Sequence, residues 1–186
     1  MKNYILFFAT LLSTFLAAQQ ATPAFEISDA DVSRKSIQFF GGSTIEIDRK
    51  NQDPEKQNGD ILLTKKTASG QILWTKFYGG SGYEYIGSFD RTNDGGLMII
   101  GTTSSYGKGN NDLYLVKTND EGEIIWEKTY GGFFNEYGYY FKELNNGNFA
   151  IKGKRQFCEG ENVGSNCYDE PWNFIVDKGG KVLAQN

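Results

Sequence analysis

Histidine is absent from the 186-residue sequence, and proline and cysteine are scarce, with three and two residues. Without histidine, Ser-His-Asp and Cys-His catalytic groups and histidine-bearing zinc sites are excluded. The net charge of −4 argues against DNA or RNA as a partner, because such binders present a basic surface. The sequence therefore predicts no catalytic residue, no metal and no cofactor.

Glycine and aromatic residues are abundant. The chain has 23 glycines and 15% aromatic residues, with 39% hydrophobic residues overall. This composition is typical of a folded chain built from short strands joined by tight turns. Its length supports one domain with a sizeable core.

The N-terminus has the pattern of a secretory signal peptide, residues 1–18. Lys2 precedes an apolar run of about 13 residues and the small pair Ala17-Ala18. The run is shorter than the about 20 residues that a membrane-spanning helix needs, so we expect cleavage and no membrane span in the mature chain. Residues 19–35 are interpreted as an N-terminal extension.

An internal duplication dominates the remaining sequence. Residues 58–80 match residues 110–132 at a constant offset of 52, without a gap. The pairs that recur at this offset and that we interpret as repeat structure are Trp74/Trp126, Gly79/Gly131 and Gly80/Gly132.

Each full repeat predicts four short strands, which in the middle copy are roughly 84–91, 96–103, 112–118 and 123–129. In the decayed third copy, Ala184 stands where the other copies have tryptophan. In the first copy we align Ile37–Gly41 with the second strand and take Phe25–Ser28 as the candidate opening strand. No segment after the signal peptide has a helical period.

The repeat pattern Y-G-G…N-D-G-G…I-I-G-T-T…L-V-K…G-x-I-x-W-x-K resembles the blade repeat of secreted Bacteroidota proteins, which are regarded as β-propeller-like. The resemblance covers about residues 36–186. It implies an all-β fold of about three four-stranded antiparallel blades, here placed at about 36–76, 77–128 and 129–186. It also implies export and a binding or scaffolding role, and it transfers no catalytic residue.

Three blades are fewer than the about four to eight of a closed propeller. We therefore expect either a homo-oligomer, such as two copies forming six blades, or a protein partner that covers the exposed strand edges. No sorting domain follows the last predicted strand, which favours the periplasm over the cell surface or secretion.

Cys158 and Cys167 are the only cysteines and lie nine positions apart. In an exported chain they predict a local disulfide. A redox-active pair is the alternative, although such pairs usually have C-x-x-C spacing. Two segments, Thr44–Asn58 and Lys154–Glu170, are longer than their counterpart in the middle copy, and we interpret them as inserted loops that carry specificity.

An aromatic cluster is the strongest candidate for an interaction surface, because it is denser than blade structure needs and exposed aromatic rings mark interfaces. The alternative is a place in the core. Its members are Phe133, Phe134, Tyr137, Tyr139, Tyr140 and Phe141.

Two further readings stay open. Glu84 and Glu136 occupy equivalent positions and are candidates for a hydrolase carboxylate pair, although repetition gives both similar surroundings rather than the different ones that catalysis requires. Trp74 and Trp126 are candidates for sugar stacking, with packing as the alternative.

We therefore expect an exported, non-enzymatic β-propeller-type module that binds protein. The resemblance implies an accessory subunit of an outer-membrane complex, such as the Bacteroidota protein secretion machinery. A lectin-like glycan-binding propeller is the first alternative and a carboxylate-dependent hydrolase is the second.

Overall fold

A computed structural model describes residues 35–52, 59–158 and 166–185. These residues form twelve β-strands in three four-stranded antiparallel sheets, and no helix occurs among them. The predicted all-β class and the four strands per repeat are confirmed. The predicted signal peptide and residues 19–34 of the extension lie outside the described residues.

The strands follow the chain in order, four to a sheet. The first sheet contains β1 (Ser36–Gln38), β2 (Thr44–Lys50), β3 (Asp60–Lys66) and β4 (Ile72–Tyr78). The second contains β5 (Glu84–Arg91), β6 (Leu97–Thr103), β7 (Asp112–Thr118) and β8 (Ile124–Tyr130). The third contains β9 (Glu136–Glu143), β10 (Phe149–Cys158), β11 (Cys167–Val176) and β12 (Val182–Gln185).

The two central strands of the second sheet, β6 and β7, are buried along their whole length. Alternate side chains of a strand point to opposite faces. Leu97 and Ile99 accordingly pack towards the first sheet, whereas Met98 and Ile100 pack towards the third. The continuous apolar runs predicted to be covered on both faces are therefore explained by a neighbouring sheet on each side.

The sheets contact one another through the opening strand of each. Strand β5 lies against β2 and β3, and β9 lies against β5, β6 and β7. One hydrophobic cluster joins the first two sheets and a second cluster joins the last two. The outer strand β8 has exposed residues along its length, as the predicted outer strand should.

The first sheet corrects two predictions. Ile37–Gly41 is not a second strand: β1 occupies Ser36–Gln38, and Gly41 and Gly42 reverse the chain with φ of 86° and 82°. The second strand is β2, so Thr44–Lys50 is not part of an inserted loop. Alternation is the physical reason, since Ile45 and Ile47 are buried between polar neighbours. The candidate opening strand Phe25–Ser28 lies outside the described residues.

The second predicted inserted loop, Lys154–Glu170, is in large part a hairpin. Strand β10 continues through Cys158 and β11 begins at Cys167, with ten aligned residue pairs from Phe149↔Val176 to Cys158↔Cys167. The described portion of this segment is therefore a paired, twisted arm that extends beyond the other sheets' hairpins. Across the residues that the structure describes, no helix is long and apolar enough to cross a membrane.

Candidate functional site

A cleft of about 480 Å³ lies where the second and third sheets meet, within the range of small-ligand sites. The chain between β8 and β9 forms one side, and the β10–β11 hairpin forms the other. The lining includes Phe133 and Phe134 of the predicted aromatic cluster and Glu136 of the candidate carboxylate pair. The repeat glycines Gly131 and Gly132 also line it, with Tyr130, Arg155, Gln156, Phe157, Trp172 and Val182.

On the hairpin side of the cleft, one guanidinium group lies near two aromatic rings. The Arg155 guanidinium lies 4.7 Å from the ring centre of Phe157 and 5.8 Å from that of Trp172. Arg155 Nε and Nη2 also both donate to Glu170 Oε1, at 2.7 and 2.6 Å. These contacts hold the guanidinium in place on a rigid wall.

The predicted disulfide between Cys158 and Cys167 is confirmed. The two residues face each other directly across β10 and β11, with Cα atoms 4.0 Å apart. The bond joins the two strands directly beside Phe157, which lines the cleft. It therefore restrains the positions of Phe157 and Arg155.

The aromatic cluster is divided between surface and core. Phe133 is 80% exposed and Tyr139 is also exposed, whereas Phe141 is only 5% exposed and packs in the core of the last two sheets. Phe134, Tyr137 and Tyr140 are half-buried. Only Phe133 and Phe134 line the cleft, and Tyr137 lies instead against Lys154, with Nζ 4.8 Å from its ring centre.

The two glutamates proposed as a carboxylate pair lie in two separate clusters, each with its own aspartate. Glu84 is fully buried beside Asp60, and Glu136 is buried beside Asp112. A side-chain carbon at Gly79 would collide with both Asp60 and Glu84. Gly131 occupies the same place between Asp112 and Glu136. The repeated glycine therefore makes room for two carboxylates at each junction between sheets.

The cluster at Glu84 is partly satisfied. Glu84 Oε1 accepts hydrogen bonds from Thr103 Oγ1 at 2.7 Å and from Ser105 Oγ at 2.5 Å. Asp60 Oδ1 and Glu84 Oε2 are buried without a hydrogen-bond partner. Burial raises the pKa of Glu84 above its ordinary value and the Asp60 carboxylate raises it further, while the two hydroxyl hydrogen bonds and the backbone N–H of Gly80 lower it.

The cluster at Glu136 is better satisfied. Its Oε2 accepts from the backbone N–H of Gly132 at 3.1 Å, and Asp112 Oδ2 accepts from the N–H groups of Lys108 and Gly109. Burial nevertheless raises the pKa of Glu136 and of Asp112. Glu136 also lines the cleft, so this buried carboxylate borders a ligand-sized space.

Trp74 and Trp126 are half-buried at the edges of the two hydrophobic clusters. Each also contacts the turn that precedes the outer strand of the next sheet: Gly122 lies against Trp74, and Gly180 lies against Trp126. Neither tryptophan lines the cleft. Their position supports the packing interpretation.

Sequence analysis anticipated part of the cleft wall, because Arg155 and Phe157 lie in the segment Lys154–Glu170 that was predicted to carry specificity. It did not single out these two side chains, and Trp172 was assigned only to a strand of the third copy. Asp60 and Asp112 recur at the repeat offset, as do Glu84 and Glu136. Repetition of two acids in both copies was a usable signal that they form a shared structural cluster.

Comparison with known proteins adds little to this geometry. No protein-family model matches the chain, and no curated protein matches it. Among solved structures, a glutamate-to-glutamine mutant of the Synechocystis apocarotenoid oxygenase is similar over 77% of this chain, with 13% identity and a TM-score of 0.43. The match spans 34% of that oxygenase chain.

Proposed function

We propose that this protein is an exported, non-enzymatic binding module, and that the cleft between its second and third sheets contacts a protein partner. The observation that carries the proposal is Phe133, which is 80% exposed at the rim of a cleft lined by aromatic rings. Large exposed aromatic side chains next to a recess are typical of interaction hot spots.

The outer strands support a scaffolding role. Each has two adjacent exposed apolar residues, Ile72-Leu73, Ile124-Ile125 and Val182-Leu183. Each outer strand is also an edge strand of its sheet, with one side of its backbone unpaired by the described sheets. Unpaired edges with apolar side chains favour contact with another chain.

The proposed arrangement is propeller-type, with the three sheets as successive blades. Its support is the repeated contact of each opening strand with the central strands of the preceding sheet. We place the protein in the periplasm, as an accessory subunit of an outer-membrane complex such as the Bacteroidota secretion machinery. The disulfide is compatible with an oxidising compartment.

Affinity capture from envelope extract tests the protein-binding proposal when two forms are compared. The wild-type protein should enrich a specific protein that the Phe133→Ser variant recovers at a level lower by about tenfold. Tyr83→Ser is a matched control, because Tyr83 is also exposed but does not line the cleft. Equal recovery by all three proteins would contradict the proposal.

A glycan-binding role is the second candidate. Phe134, Phe157 and Trp172 offer ring faces, Arg155 and Glu136 offer hydrogen-bonding groups, and the Trp172 Nε1 is buried without a partner. Sugar sites combine such rings with a few polar groups. A glycan array should then give a signal that Phe134→Ala removes, and a blank array would exclude this candidate.

A further inference from the structure

One contact between neighbouring sheets occurs twice in the chain. In the first instance, the turn Asn119–Glu123 of the second sheet rests on the outer strand of the first sheet. The Tyr78 hydroxyl donates to the carbonyl oxygen of Gly122 at 2.8 Å. A side-chain carbon at Gly122 would lie 3.0 Å from the Trp74 ring and 3.0 Å from Lys76.

The second instance repeats every part of the first. The Tyr130 hydroxyl donates to the Gly180 carbonyl at 2.6 Å, and a side-chain carbon at Gly180 would lie 3.1 Å from the Trp126 ring and 3.0 Å from Lys128. Trp126 Nε1 also donates to Lys178 O at 2.8 Å. In both outer strands these three residues follow the pattern Trp-x-Lys-x-Tyr. We call their tryptophan, lysine and tyrosine side chains together the Trp-Lys-Tyr cup.

The first sheet presents the same turn with no cup against it. Gly70 has a φ of 85°, close to the 75° of Gly122 and the 76° of Gly180. Gly70 N donates to Thr67 O at 2.9 Å, the bond that Gly122 makes to Asn119 and Gly180 makes to Asp177. Among the residues that the structure describes, none has an atom within 4 Å of the position that a side-chain carbon at Gly70 would take.

Within residues 1–186, no unoccupied Trp-Lys-Tyr cup is present that could contact the Gly70 turn of a second copy. Of its three tryptophans, Trp74 and Trp126 already contact the turns of the next sheets, and Trp172 is buried in the core. In the third sheet, Ala184 pairs with Ile175 at the register position where Trp126 pairs with Lys117. Residues 1–34 contain no tryptophan.

We propose that the turn Thr67–Gln71 of the first sheet is a docking point for a different polypeptide, one that presents a strand with the sequence Trp-x-Lys-x-Tyr. The inference rests on the proposed protein-binding function and names a second surface and its partner's chemistry. The partner's tyrosine donates to the Gly70 carbonyl, and its tryptophan covers the glycine. Because only glycine leaves room for the ring, the fit is selective for this turn.

A grafted cup tests the docking directly. The variant carries Ala184→Trp and Asn186→Lys, followed by added Thr and Tyr residues, which reproduces the register of Trp126, Lys128 and Tyr130. Sedimentation velocity should show concentration-dependent, head-to-tail association of this variant that exceeds any self-association of the wild-type chain. Adding Gly70→Asn should weaken that association by about tenfold, because asparagine accepts positive φ but its side chain occupies the place of the ring.

Matched substitutions show whether the fold survives. Gly70→Asn should leave the thermal midpoint nearly unchanged, since the space beside Gly70 is open. Gly122→Asn, at the equivalent turn that already holds a cup, should lower the midpoint by several degrees. A folded graft that associates no more than wild type, or one that associates equally with Gly70→Asn, would overturn the proposal.

A second measurement needs no graft. A photocrosslinking residue at the exposed Ser69, in the otherwise natural protein, should crosslink in envelopes to peptides that contain Trp-x-Lys-x-Tyr. Crosslinks confined to peptides without this sequence would overturn the inference. Partner capture that depends on Phe133 would then still support the proposed function, so the two failures are distinguishable.

Discussion

Asp60 and Glu84 lie on different sheets, yet a carboxylate oxygen of each reaches the same point beside Gly79. Those two oxygens, Asp60 Oδ1 and Glu84 Oε2, are buried without a hydrogen-bond partner. Two carboxylates in a buried, low-dielectric site favour the protonated form of one of them. The junction between the first two sheets is therefore most stable when Glu84 holds its proton.

We predict that Glu84→Gln stabilises the protein at neutral pH. An amide NH₂ in place of Oε2 supplies a donor to Asp60 Oδ1 and removes the unsatisfied Oε2, a change worth about 1 kcal/mol in the free energy of unfolding. Urea denaturation at pH 7 measures it. Glu136→Gln is the matched control and should gain less, because Asp112 already accepts hydrogen bonds from the N–H groups of Lys108 and Gly109. A loss of stability in Glu84→Gln would contradict the prediction.

The Asp60–Glu84 pair should also make the stability of the protein depend on pH. The pKa of Glu84 is raised in the folded state by burial. The stabilisation from its protonation is therefore complete below the unfolded-state pKa of about 4.3 and is lost as pH rises through the raised folded-state pKa. Between pH 4 and pH 8, the free energy of unfolding should fall less steeply with rising pH in Glu84→Gln than in the wild-type protein. An equal pH dependence in the two proteins would show that Glu84 does not cause it.

Much of this architecture is predictable from the sequence, and the reason is the repeat. In the middle copy, Asn and Gly turns and two apolar runs place all four strands within a residue or two of β5 to β8. The assignment in the first copy failed because the resemblance of Ile37–Gly41 to the second strand of the middle copy was given more weight than two local signals. These signals are the Gly41-Gly42 turn and the alternation of Ile45 and Ile47 with polar neighbours.

The candidate site is less predictable than the fold. Exposure of Phe133 and burial of Phe141 depend on where strand β9 begins and which neighbour covers it, neither of which the sequence states. Arg155 and Trp172 meet only because β10 and β11 pair over ten residues, far beyond the other hairpins. Side chains brought together by such non-local pairing have no signal in a single sequence.

Substitutions in the aromatic cluster should affect stability differently at surface and core positions. We predict that Phe133→Ser changes the thermal midpoint little, because the ring is exposed, whereas Phe141→Ala costs about 3–5 kcal/mol through the cavity that it leaves. Thermal and denaturant unfolding of both variants provide the comparison. A large loss in Phe133→Ser would place that ring in the core instead.

The tyrosines of the outer strands should each contribute to the junction between sheets. Tyr78→Phe and Tyr130→Phe remove the hydrogen bonds to Gly122 and Gly180, and we expect each to cost about 0.5–1.5 kcal/mol. The two effects should be similar because the contacts are equivalent. Tyr83→Phe is a control at an exposed position. No loss in either variant would mean that the hydroxyl contacts do not join the sheets.

The disulfide should stabilise the arm that forms one side of the cleft. We predict that the double variant Cys158→Ser, Cys167→Ser loses about 2.5–3 kcal/mol, the chain-entropy value for so short a loop. Adding a reductant should destabilise the wild-type protein and leave the variant unchanged. If the reductant affects neither protein, the bond is not formed in solution.

In-cell photocrosslinking from position 133 tests most directly whether the cleft contacts a protein partner. A photoreactive residue replaces Phe133, and the same residue at Tyr83, which is exposed but does not line the cleft, serves as the reference. We expect position 133 to give a discrete crosslinked band with one envelope protein and position 83 to give none. If position 133 gives no light-dependent crosslink, or if positions 133 and 83 give the same crosslinked bands, a binding role for the cleft is contradicted.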